Sequence, residues 1–108
     1  MSNVQPQMLL RAKFHEALRS GKYHQTRGSY RDLTGHYAAD MCMSFCILGL
    51  AYHIMEGHDW NTYRLIEELE EAYGFRNPLT LMSMNDAGCS FATFIRLIED
   101  HPDFIYKM

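Results

Sequence analysis

The sequence has no cysteine framework, no long apolar run and little net charge, and each lack excludes something. Its three cysteines, Cys42, Cys46 and Cys89, are an odd number in a chain that is not cysteine-dense. That pattern argues against a disulfide scaffold and for reduced thiols. The longest strongly apolar stretch, "MCMSFCILGLAYHIM", is 15 residues, short for a membrane span and suited to a buried core element. The start, "MSNVQPQMLLRAKF", has no basic segment followed by an apolar one, so no secretory signal is expected. A formal charge of −3 gives no global field for binding nucleic acid or an anionic membrane. "GxSxG", "GxxxxGK[ST]" and "HExxH" do not occur, so no familiar catalytic or phosphate-cradling constellation is on offer.

What is present describes a globular protein. Hydrophobic residues make up 47% of the 108 positions and charged ones 21%, outside the range of disordered chains. The length suits one compact domain over 1–108, and the protein is expected to stay in the cytosol with no membrane contact. Eight methionines, seven tyrosines and six phenylalanines promise a soft, ring-rich interior.

The pattern predicts a mainly α domain of four or five helices. Leu10, Phe14, Ala17 and Leu18 share one face of a first helix that Gly21 ends. Residues 40–56 are apolar nearly all round, which predicts a buried central helix stopped by Gly57. Asn61 caps a third helix whose inner face is Leu65, Leu69, Ala72 and Tyr73, and Gly74 closes it. Pro78 bars the next helix, so Thr80 caps a short one over 81–86. Gly88 turns the chain, Ser90 caps a final helix with Phe91, Phe94, Ile95 and Ile98 inward, and Pro102 stops it. Residues 22–37 lack a helical period and are expected to form a loop or a short β-ribbon.

Four places could carry function. The 22–37 loop is the leading binding candidate: Lys22, His24, Arg27, Arg31 and His36 alternate with Tyr23, Tyr30 and Tyr37. Cations between stackable rings suit single-stranded nucleic acid, nucleotides or phosphorylated ligands, although Asp32 weakens the field. Tyrosines that pack on the core edge and keep their hydroxyls wet would give the same pattern. From Glu56 to Glu71, six carboxylates face Arg64 alone, either a solvated helix surface or a face for a basic partner. A basic loop with an acidic helix would also support homo-oligomers. Residues 80–100 have the spacing of a helix–turn–helix, yet the outward set Ala92, Thr93, Arg96, Glu99 and Asp100 makes a poor reader of bases. Cys42, Cys46 and His53 could share a helix face, but no ligand spacing supports a metal, and neither a metal nor a cofactor is expected. Asn85 and Asp86 in "MNDAG" read as turn residues that bond the local backbone.

"ALRSGKYHQTRG" (17–28), "FCILGLAYHIM" (45–55) and "LTLMSMNDAGCSFATFIRLIED" (79–100), in that order, resemble a family of small phage and prophage proteins. Its members share an "ALRSGxYxQ" start, a "CLG"-containing helix and an "LxxxNDxGxSFxxI" end. This sequence departs from the pattern after Cys46, where the further cysteines are missing, and at Ala92 and Thr93, where acids are frequent. The resemblance implies a viral setting and brings no activity with it. The reading is a non-enzymatic accessory protein that binds a host or viral protein in the host cytoplasm. The alternative is a nucleic-acid or nucleotide binder using the 22–37 loop, and a small enzyme of unfamiliar type is third.

Overall fold

A computed structural model describes residues 4–28, 30–34 and 42–107. The chain runs through α1 (Val4–Ser20), β1 (His24–Gln25), β2 (Arg31–Thr34), β3 (Cys42–Phe45), α2 (Ile47–Ile54), α3 (Thr62–Tyr73), α4 (Pro78–Asp86), α5 (Phe91–Asp100) and the single-turn α6 (Pro102–Ile105). It is mainly helical, as the pattern predicts, with a small sheet at one side.

The largest correction falls on the expected central helix over 40–56. Its first part is β3, and only Ile47–Ile54 is helical. β3 is the middle strand of a three-stranded sheet ordered β1-β3-β2, parallel to β1 and antiparallel to β2. β3 is only four residues long and runs straight into α2, and periodicity cannot separate so short an apolar run from a buried helix. The expected 22–37 ribbon is corrected too: β1 and β2 do not pair with each other but flank β3. Cys42 therefore lies on a strand while Cys46 caps a helix, and the two do not share a helix face.

α2 remains the centre of the core, with Leu48, Leu50, Ala51 and Tyr52 fully buried. Around it lie Phe14 of α1, Leu65, Leu69 and Tyr73 of α3, Leu81 of α4 and Phe94 of α5. Gly49 is required at its place: a Cβ there would sit 1.7 Å from the Tyr30 carbonyl oxygen, so a side chain would drive the β1–β2 segment off the helix. The Tyr30 carbonyl is held close because it accepts from the Cys46 N–H at 3.1 Å.

Helix ends follow local rules in most cases. Asn61 and Ser90 cap α3 and α5 through their side chains, and Gly74 closes α3 in the left-handed conformation. Pro78 does not bar α4 but opens it, because the first helical position needs no N–H; Asn77, rather than Thr80, is the cap. Pro102 likewise starts α6 after α5 has ended at Asp100.

A second cluster joins the chain's two ends. Phe75 lies between Tyr73 and Tyr106, stacked at 4.9 Å and 5.6 Å, and Phe14 meets Tyr73 and Phe75 edge-on. The Arg11 guanidinium lies 4.1 Å over the Tyr106 ring and its Nε donates to the Tyr73 carbonyl at 2.7 Å. On the outer side of α1, Glu99 accepts from His15 at 2.8 Å and Arg19 at 2.6 Å, which holds its carboxyl below the usual range and ties α5 to α1. No helix among the described residues is long and apolar enough to cross a membrane.

The Tyr106 hydroxyl is buried and meets no hydrogen-bond partner among the described residues. Burial pushes its ionisation upward. A buried hydroxyl without a partner is a cost, so Tyr106→Phe is expected to raise stability by about 1 kcal/mol in urea denaturation. A loss of stability would show that the hydroxyl is bonded in solution.

Candidate functional site

Residues 25–28 and 85–91, far apart in the chain, meet at Asn85. It is the buried polar residue of the core, with no exposed surface. Its Oδ1 accepts from Gln25 Nε2 at 2.7 Å and from the Ile47 N–H at 3.0 Å. Its Nδ2 donates to the Thr26 carbonyl at 2.9 Å. Gln25 completes the pattern: Nε2 also donates to the Cys89 carbonyl at 2.8 Å, and Oε1 accepts from the Phe91 N–H at 3.0 Å. Next to them, Asp86 Oδ1 accepts from the Gly28 N–H at 2.9 Å.

Two of these bonds answer a demand set by a helix start. Ile47 and Phe91 open α2 and α5, where backbone N–H groups have no partner within the helix. Asn85 and Gln25 supply the acceptors from other parts of the chain. At the other polarity, Arg27 donates from Nε to the Asn85 carbonyl at 3.1 Å and from Nη2 to the Gly88 carbonyl at 3.3 Å. A cation at the carbonyl end of α4 also suits the helix dipole. Gly88 has φ +119°, a conformation that a side chain would strain, so the chain reverses there and brings its carbonyl to Arg27. Asn85 was expected to bond only its local turn; its partners instead include Gln25, 60 residues away.

The six candidate binding residues divide. Lys22 and His24 are exposed. Tyr23 is half-buried, its ring edge-on to Phe45 at 5.9 Å and to His53 at 5.7 Å. Arg27 is engaged as described, and the Arg31 guanidinium covers the Trp60 ring at 4.1 Å. Tyr30 is half-buried, its carbonyl fixed to Cys46. The structure therefore brings together Tyr23 with the core edge and Arg31 with Trp60, rather than an open row of rings between cations. His36 and Tyr37 lie outside the described residues. His53 stacks on Phe45 at 4.7 Å, and burial, aided by Arg31, lowers its pKa.

Gln25 is the structural residue the sequence reading missed. It stood within the "ALRSGxYxQ" pattern, and that position was the one signal available. In the 80–100 stretch, whose spacing also fits a helix–turn–helix, Glu99 faces α1 and bonds His15 and Arg19, so part of the outward set of α5 is a packing face.

Two of the concavities among the described residues border these elements. One, of about 400 Å³, lies beside the Asn85 corner and is lined by Gly28, Tyr30, Cys46, Thr62, Met82 and Asp86. Cys46 is 1% exposed, and its Sγ accepts from the Gly49 N–H at 3.3 Å as the cap of α2. Burial pushes its thiol pKa up more than the helix N–H groups lower it, which keeps it protonated and a poor nucleophile at neutral pH. The other, of about 330 Å³, lies between α1 and α3, with Leu10, Met55 and Ala72 as apolar walls and Glu68 and Glu71 beside them. Glu68 accepts from the buried Tyr52 hydroxyl at 2.5 Å, while Glu71 is exposed. No group of three or more potential metal ligands occurs among the described residues.

No family model, curated protein or solved structure matches this chain.

Two outcomes follow from the corner. Asn85→Asp replaces a donor facing the Thr26 carbonyl with an acceptor and buries a charge, so it should cost on the order of 3 kcal/mol at pH 7. The buried acid's pKa would be raised above its unfolded value, so the gap to the parent should narrow as pH falls and the protonated acid donates again. Denaturation at pH 7 and pH 5 checks both signs; equal gaps would mean the amide donor is not needed. For the thiols, iodoacetamide at neutral pH should modify half-buried Cys89 well before Cys46, as read by peptide mass spectrometry. Prior labelling of Cys46 would show that the corner opens readily.

Proposed function

We propose that the chain is a phage-encoded accessory protein that acts in the host cytoplasm by binding a protein partner, without catalysing a reaction. The observation that carries this reading is the contrast between the corner and the helical side. The polar side chains with the most chemical potential, Asn85, Gln25, Arg27 and Asp86, are bonded to helix ends and to each other. The groove between α1 and α3 instead presents apolar walls to the outside. Elsewhere on the same two helices, Met8 and Leu9 of α1 are 55% and 57% exposed, and Tyr63 of α3 is 82% exposed. A groove with accessible apolar walls is what a protein partner buries.

The viral setting rests on the three family-like stretches. The nucleic-acid reading keeps Lys22 and His24 as exposed cations, while Arg27 and Arg31 are already engaged. Capture of partners by the tagged protein from host lysate, with and without nuclease, distinguishes the two. A near-stoichiometric protein that survives nuclease is the expected result. Recovery that disappears with nuclease would replace the protein-binding reading with the nucleic-acid one.

A further inference from the structure

We infer that the groove between α1 and α3 receives a basic, amphipathic segment of the partner, with a lysine or arginine beside Glu68 and Glu71 and an apolar side chain against Leu10, Met55 and Ala72. The inference rests on the protein-binding reading and names the chemistry of its partner.

The groove is negative for several independent reasons. Glu68 and Glu71 line it, and its described lining contains no cation. Glu70 and Glu71 stand in the last turn of α3, which carries no basic residue. Carboxylates at that end oppose the helix dipole, whose negative pole lies at the carbonyl terminus. Met55, the C-cap of α2, also lines the groove, which places a second carbonyl terminus there. Arg11, a cation one residue from Leu10, is not among the groove's lining, its guanidinium being directed to the Tyr73 carbonyl and the Tyr106 ring. The helix thus holds acids where acids disfavour it, and a cation from outside would relieve that arrangement.

The apolar half of the argument is equally local. Leu10, Met55 and Ala72 are only partly buried against the core, so part of each side chain is left to a visitor. Pro6 and Gln7 continue the wall along α1. A phosphate-bearing partner would meet repulsion from the same carboxylates. A segment carrying alternate cations and aliphatic groups satisfies both parts of the groove, in the manner of a helix laid in a groove.

The test uses the full chain, labelled with nitrogen-15, titrated with a synthetic amphipathic peptide of leucine and lysine. A leucine–glutamate peptide of the same length is the control. Saturable shifts should centre on Leu10, Met55, Glu71 and Ala72, and affinity should fall as salt rises. Glu71→Arg, an exposed substitution, should weaken binding at least tenfold without lowering the melting temperature, since a cation suits the last turn of α3. Equal binding of the acidic peptide, shifts centred on residues 22–31, or an unchanged affinity in the variant would each overturn the inference. Repeating the lysate capture with Glu71→Arg separates the two claims. A partner retained by the variant overturns this groove and leaves protein binding standing, whereas a partner lost supports both.

Discussion

The fold depends on one buried amide. Asn85 offers an acceptor to the start of α2 and a donor to the strand edge at Thr26, and both are satisfied within 3.0 Å. A neutral amide carries an acceptor and a donor on two separate atoms, so one side chain serves both at once. Through its bond to Gln25, the same site reaches the start of α5. A leucine there would fill the space and leave an N–H and a carbonyl buried without partners. Buried polar networks of this kind specify one arrangement when complete and destabilise it when broken.

The corner explains why the short β1 has a fixed place. With a two-residue strand there is little ladder to set its register. Gln25 and Arg27 lie on either side of Thr26, and each reaches the α4–α5 turn. Their anchoring, with Thr26 donating to the Phe45 carbonyl, fixes β1 against β3. β3 then leads through Cys46 into α2, so the sheet and the central helix share one boundary. The close contact of Gly49 with the Tyr30 backbone seals that boundary from the opposite side.

Much of the helical frame was legible because its signals are local. Asn61, Gly74 and Ser90 act on residues within one turn, and the stripe from Phe91 to Ile98 repeats at helical spacing. β3 was not legible because its four residues run without a break into the apolar α2, too short a stretch for alternation to stand out. Pro78 was misread because the same ring that breaks a helix interior fits its first turn. The candidate loop was legible as basic and aromatic, but not as engaged: nothing near Arg31 in sequence announces Trp60, and nothing near Arg27 announces Gly88. Gln25 and Asn85 were hidden for the same reason, since both residue types also satisfy ordinary turns.

The length of chain between Gln25 and Asn85 also bears on how the protein is made. During synthesis the first helix and the strands leave the ribosome well before their amide partner. The N-terminal half then has no acceptor for the first N–H of α2 and no anchor for β1. It must wait, partly open, until the α4–α5 turn emerges. Completion of the corner is thus a late event that closes a long loop, and the entropy of that closure falls on the final step rather than the first. A nascent chain halted before Asn85 would carry every residue of the sheet and still lack the bonds that tie β1 and the start of α2 to the α4–α5 turn.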